Sequence, residues 1–203
     1  MIQAASPSLI LASASASRRA LLDAAGLRYQ AIPAAVDEAA LKEAAQAEGL
    51  RAGDAAVMLA DAKARQIARR DPEALVIGSD QLLVMGERWF DKPRDMTEAA
   101  AHMRAFSGQS HQLVNGTVAW RFGQRVWQNV AVATLHVRPL SDEFIAAYLA
   151  AEGEGLLATV GAYRLEGAGV HLFQRIEGEH STILGLAMLP LLAFLRQHGV
   201  LRG

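Results

Sequence analysis

Leu9-Ile10-Leu11-Ala12-Ser13-Ala14-Ser15-Ala16-Ser17-Arg18-Arg19-Ala20-Leu21-Leu22 runs from an apolar segment, through small and hydroxyl residues, to paired arginines and a helical pattern. It reads as a strand that hands over to a helix N-terminus with cations at the junction. Small side chains let backbone N–H groups approach an anion. The helix dipole favours negative charge at that end, and an arginine fork matches phosphate geometry. A phosphate is the simplest ligand for such a junction. A surface helix that opens with two solvated arginines after an Ala/Ser run fits the stretch alone equally well.

The surrounding sequence extends the α/β reading. Arg19 to Ala25 is helical in pattern and closed by Gly26, and Tyr29 to Ile32 reads as a short strand. The Ala-rich stretch from Ala34 to Ala56 has helical propensity, and Asp54 is a candidate cap for a long helix reaching Arg70. Leu75 to Ile77 is continuously apolar, the mark of a strand buried on both faces. Thr97 is placed to cap a helix ending near Ser107-Gly108. His111 to Trp120 and Arg125 to Val137 form a predicted hairpin around the turn Arg121 to Gln124. Pro139 and Ser141 start a helix running to Ala151, which Glu152 to Gly155 breaks. Val170 to Ile176 reads as a strand and Met188 to His198 as the closing helix. The expected architecture is α/β, a mixed twisted sheet flanked by helices, with residues 1–203 as a single domain of two lobes and a central cleft.

Composition narrows the function. The chain has 203 residues, 52% of them hydrophobic, enough for a sizeable core. A net charge of -1 gives no global basic field for a nucleic-acid duplex, so no nucleic-acid partner is expected. The absence of cysteine excludes disulfides, thiolate metal sites and cysteine nucleophiles. No apolar run approaches the roughly 20 residues that span a bilayer, and a cytoplasmic location without membrane association is the default expectation.

Among residues with chemical potential, Asp80 in Gly78-Ser79-Asp80-Gln81 directly follows the apolar strand, where ligands of α/β sheets bind. Its carboxylate can hold a divalent ion against a phosphate or accept a proton from water, or it can simply cap an Asx turn. Asp37 and Glu38 can supply a second carboxylate or open a solvated helix. Lys63, on a mostly apolar helix face, and Lys92, before Pro93, can each neutralise a polyphosphate, although an isolated lysine is ordinarily solvated. His111 reads as a hydrogen-bonded structural residue. The six histidines show no close metal-ligand spacing. Neither a G-x-S-x-G elbow nor a P-loop is present. The segment Gly161 to Gly169 allows close backbone approach by a ligand or forms a glycine-rich hairpin corner.

Taken in order, Leu-Ile-Leu-Ala-Ser-x-Ser with Arg18-Arg19, Val36-Asp37-Glu38, Leu59-Ala60 with Lys63-Ala64, Gly78-Ser79-Asp80-Gln81, Lys92-Pro93, Ser107-Gly108 with His111, Gly161-Ala162-Tyr163 with Glu166-Gly167, and Gly185-Leu186 resemble the Maf family of nucleoside triphosphate pyrophosphatases. The resemblance covers nearly the whole chain. It implies an α/β fold with a cleft, similar to that of inosine triphosphate pyrophosphatase, and hydrolysis of a nucleoside triphosphate to the monophosphate and pyrophosphate. It implies Asp80 as proton acceptor and a divalent metal, Mg²⁺ or Mn²⁺, on Asp80 and Glu38. Ser13, Ser15, Ser17, Arg18, Lys63, Gln81, Lys92 and Glu166 would bind substrate, and a homodimer is the candidate assembly.

Gly-Ser-Asp-Gln in place of Gly-Ala-Asp-Thr, and Glu166 in place of glutamine, look like the branch that prefers 7-methyl-GTP over dTTP and UTP. Ala16, Ser17, Asn115, Thr182 and Ala187 depart from the family pattern, and Ser17 removes an aromatic face on which a methylated guanine could stack. A pyrimidine-preferring pyrophosphatase and a nucleotide-binding regulatory module with weak hydrolysis are the alternatives. A different small-phosphate hydrolase on a similar scaffold is a third.

Overall fold

The computed structural model describes residues 2–202. In chain order they form β1 (Leu9–Leu11), α1 (Ala16–Ala24), β2 (Gln30–Ala31), α2 (Glu38–Ala47), α3 (Ala52–Ala68), β3 (Leu75–Met85), β4 (Arg88–Phe90), α4 (Met96–Phe106), β5 (Ser110–Arg121), β6 (Gln124–Val137) and α5 (Asp142–Glu152). Two short 3-10 helices (Gly153–Ala158 and Ala168–Leu172), β7 (Phe173–Glu177), α6 (His180–Ile183) and α7 (Met188–Gln197) complete the chain. The strands make one mixed sheet in the order β2-β1-β3-β5-β6-β7, with β4 on β3. β1 runs parallel to β2 and β3, whereas β4 and β7 are antiparallel to their partners. This is the mixed α/β sheet flanked by helices that the sequence predicts. Among the described residues no helix is long and apolar enough to cross a membrane.

The chain divides into two compact units, one of Met1–Gln81, Val114–Ala131 and His180–Gly203, the other of Leu82–Leu113 and Val132–Glu179. In the first unit, side-chain alternation along the strands builds a core on each sheet face. Leu9, Leu11, Leu75 and Ile77 pack with Leu22 of α1 and with Leu191 and Phe194 of α7. Ile10, Val76 and Val118 pack with Val57, Ala60, Ala64 and Ile67 of α3. In the second unit, Phe90, Phe106, His111, Tyr163 and Phe173 form a chain of ring contacts with centroids 4.8 to 6.2 Å apart.

Several boundaries differ from the sequence reading. α1 starts at Ala16 rather than Arg19, because the Ser15 hydroxyl accepts from the Arg18 N–H and caps the helix. The Ala-rich stretch splits into α2 and α3 around Gly49. α3 begins at Ala52 and ends at Ala68, so Asp54 lies inside its first turn and pairs with Arg51 at 3.0 Å instead of capping. Asp95, not Thr97, caps α4 by accepting from the Glu98 N–H at 2.8 Å. Ser141 caps α5 as expected, accepting from the Phe144 N–H at 3.1 Å. A 3-10 helix occupies Ala168–Leu172, which moves the start of β7 to Phe173. The β5–β6 turn has Phe122 and Gly123 both at positive φ, 51° and 75°, as a two-residue type I′ hairpin turn requires.

Candidate active site

Asp80 lies within β3, an 11-residue strand that continues well past Ile77. The parallel neighbour is shorter: β1 ends opposite Ile77, and the Ala12 N–H donates to the Ile77 carbonyl at 2.8 Å. Asp80 is therefore mid-strand in β3 yet beyond the carboxyl end of the parallel pairing, where ligands of such sheets bind. Alternation puts Gly78 and Asp80 on the face of Val76, toward α3. Ser79 and Gln81 point the other way with Ile77.

Two strand glycines let α3 come close. A methyl group at Gly78 would collide with the Ala60 carbonyl, and one at Gly116 of β5 with the Ala56–Val57 peptide. One turn beyond Ala60, Lys63 sends its ammonium to the carboxylate of Asp80, Nζ to Oδ1 at 2.5 Å, and to Glu38 Oε1 at 2.8 Å. Glu38 enters from the first turn of α2, whose cap is Asp37, accepting from the Ala40 N–H at 3.0 Å. The expectation of a solvated lysine fails here: Lys63 is 7% exposed and Asp80 4%. A charge so deeply placed needs a partner, and each supplies the other's. Glu38 is half exposed.

The capped start of α1 supplies the next cation. Arg18 donates from Nε to the Gly185 carbonyl at 2.7 Å and from Nη1 to Ser13 Oγ at 3.1 Å. Packing around its guanidinium lowers its pKa, opposed by the negative charges of Asp80 and Glu38. Ser13 is buried and also accepts from the Ser15 N–H, while the Ser15 and Ser17 hydroxyls are hydrogen-bonded at 3.1 Å. Gln81 donates its amide to the Thr182 carbonyl at 2.8 Å. The first unit thus gathers Ser13, Ser15, Ser17, Arg18, Glu38, Lys63, Asp80 and Gln81. Lys92 and Glu166 belong to the second unit and are exposed. The Gly161 to Gly169 segment there consists of turns and a 3-10 helix rather than a hairpin corner.

His111 is structural, as the sequence suggests. It is buried, its Nε2 hydrogen-bonds the Tyr163 hydroxyl at 2.8 Å, and burial, helped by His136, pushes its pKa down to about 4.

The sequence assigns no role to a group of fully buried polar strand residues: Ser79 and Asn115 donate to the Gly185 carbonyl, and Thr117 donates to Asn115 Oδ1. Their signal is visible in hindsight. Polar residues at alternate positions of an otherwise apolar strand need internal hydrogen-bond partners.

Comparison with known proteins bears on what such a cluster does. The Maf-like protein family matches residues 8–198, almost the whole chain. This chain belongs to the Maf family. Among Maf relatives, it is 51% identical over 193 residues to a nucleoside triphosphate pyrophosphatase of Granulibacter bethesdensis, covering 95% of this chain and 98% of that one. It is 54% identical over 195 residues to a 7-methyl-GTP pyrophosphatase of Rhizobium meliloti, covering 96% and 98%. A 7-methyl-GTP pyrophosphatase of Rhizobium etli is 49% identical over 197 residues, covering 97% and 99%.

As to a metal, two carboxylate oxygens, from Asp80 and Glu38, converge on a single cationic centre, the Lys63 ammonium. Hard oxygen donors of this kind suit Mg²⁺ or Mn²⁺, which take one or two protein carboxylates and complete their shell with phosphate oxygens and water. Among the described residues no cluster of three or more His, Cys, Asp or Glu side chains forms an all-protein metal cage. A metal shared with a phosphate ligand is the arrangement these donors fit.

Proposed function

We propose that this protein is a nucleoside triphosphate pyrophosphatase, a hydrolase of nucleotide metabolism that cleaves the bond between the α- and β-phosphates, with 7-methyl-GTP as its preferred substrate. The observation that carries this reading is the buried Lys63 ammonium held between Asp80 and Glu38, close enough to Arg18 for both carboxylates to act on its guanidinium. The cluster offers a carboxylate to water and cations to phosphate, which is most of what phosphoryl chemistry asks of a protein.

Water attacks the α-phosphorus, the bond to the bridging oxygen breaks, and pyrophosphate leaves with the electron pair. Asp80 orients that water and takes its proton. Arg18 and Lys63 neutralise phosphate oxygens, with Lys92 as a further cation, and the serines at the start of α1 present hydroxyls to the same groups. Asp80 and Glu38 would hold Mg²⁺ or Mn²⁺, which when bound supplies electrostatic stabilisation of the phosphate charge. Gln81, Glu166 and Ser17 face the base. A carboxylate at Glu166 can accept from the guanine N1–H and exocyclic amine and favours the positive charge that 7-methylation adds, an interaction thymine lacks in that form. Residues 1–203 act as one Maf-like domain of two lobes, and a homodimer is the assembly we favour.

The test is a panel of normal and modified nucleoside triphosphates assayed with Mg²⁺ for the first product. The reading expects pyrophosphate and the monophosphate, a higher kcat/KM for 7-methyl-GTP than for dTTP or UTP, and a narrower gap in Glu166→Gln. Asp80→Asn should fold and nearly abolish turnover. A nucleoside diphosphate as first product would overturn the bond assignment, and a preference for dTTP or UTP would make this a pyrimidine-directed enzyme. Binding with negligible release would favour the regulatory module.

A further inference from the structure

Ser79, Asn115 and Thr117 touch no reacting group in the mechanism above, yet each is wholly buried. Two of them, Ser79 and Asn115, converge on one oxygen, the carbonyl of Gly185, and Thr117 stands behind them. That carbonyl accepts from Arg18 Nε at 2.7 Å, from Asn115 Nδ2 at 2.8 Å and from Ser79 Oγ at 3.0 Å. The same Asn115 nitrogen donates to the main-chain carbonyl of Asp80 at 3.1 Å and lies 3.0 Å from Ser79 Oγ. The orientation of the amide is settled by its partners. Both carbonyls only accept, so the NH₂ must face them, and Thr117 Oγ1 donates to Asn115 Oδ1 at 2.9 Å on the other side.

The geometry points to Asn115 as a positioning residue that fixes Arg18 relative to Asp80. One amide nitrogen joins the backbone of the residue that orients water to the carbonyl that orients the phosphate-binding guanidinium. The inference deepens the proposed function and rests on its assignment of Asp80 and Arg18. Few side chains can do this. A threonine hydroxyl carries one hydrogen and reaches one carbonyl, an ionised aspartate carries none, and leucine fills the space without donating. Buried without exposure to water, the amide has no competing partner, so its hydrogen bonds hold in a single arrangement.

The experiment uses the full chain with Asn115→Leu and Asn115→Thr, the second keeping a polar group should the first fail to fold. Steady-state kinetics with the best triphosphate of the panel should show kcat reduced ten- to about 100-fold, as misplacement of groups by ångström fractions produces. KM should move less than about threefold, because the remaining phosphate contacts still bind the ground state and the loss falls on the alignment of Arg18 with Asp80 in the transition state. The second readout needs no turnover: the Nε–H resonance of Arg18 in ¹⁵N NMR should exchange with water about fivefold faster or more when its acceptor is no longer held. A folded Asn115→Thr with kcat and Arg18 exchange both within about twofold of wild type overturns the inference. If the wild type releases no pyrophosphate, the proposed function fails, and unchanged or accelerated Arg18 exchange still decides whether Asn115 positions that side chain.

Discussion

Lys63→Met tests the centre of the site, because it removes the cation and leaves a side chain of similar length. At an effective dielectric constant of about 20, charges at the 2.5 Å separation of Lys63 and Asp80 attract by roughly 7 kcal/mol. Desolvation of both groups offsets most of that, so the intact pair stabilises the fold little. Breaking it is another matter: an uncompensated Asp80, only 4% exposed, should cost about 3–5 kcal/mol. Glu38 adds little, since its half-exposed carboxylate recovers water when the lysine is lost. Urea denaturation at pH 7 measures the deficit, and Asp80→Asn in the same background closes a double-mutant cycle. The double variant should recover most of the lost stability, because neither charge of the buried pair remains, while both variants stay inactive. A loss under about 1 kcal/mol that adds independently to that of Asp80→Asn would refute the claim that the two charges compensate each other.

Two further outcomes follow from the packing. Gly78→Ala places a methyl group against the Ala60 carbonyl of α3, so it should destabilise by about 1–3 kcal/mol or more and, by displacing α3, lower kcat/KM for a substrate that Lys63 binds; unchanged stability and activity would mean that α3 yields freely. His111 has a pKa pushed down to about 4 by burial, so between about pH 6.5 and pH 4 the unfolded chain binds a proton that the folded chain refuses. Stability from this group therefore falls as pH drops through that window, by about 3 kcal/mol in all, and denaturation of His111→Gln across the same range should lack that part of the slope.

What the sequence determined by itself is local. The hydroxyl of Ser15 three residues before Arg18 is sufficient to cap a helix and place an arginine in its first turn, and the continuous apolar run Leu75 to Ile77 marks a strand buried on both faces. Alternation then carries Asp80 to the face of Val76 without reference to anything distant. The start of α4 was less legible, since Thr97 has a capping side chain but stands two residues inside the cap that the structure uses. Asp95 and Thr97 are both good caps, and the choice of Asp95 gives Glu98 at the third helical position, where its carboxylate also accepts from the Arg94 N–H at 2.7 Å. Only the tertiary structure decided that Lys63 is buried. That follows from Gly78 and Gly116, on two neighbouring strands, admitting the backbone of α3, and from Glu38 arriving on a different helix. It alone also brought Asn115, Asp80 and Arg18 to the carbonyl of Gly185, positions separated by 35 to 167 residues. A cap, a turn or an alternating strand is set by the few residues whose backbone groups it satisfies. The partner of a buried charge or amide is set by which strands neighbour each other in the sheet and how closely a helix can lie upon them, and neither is encoded in the sequence around the residue itself.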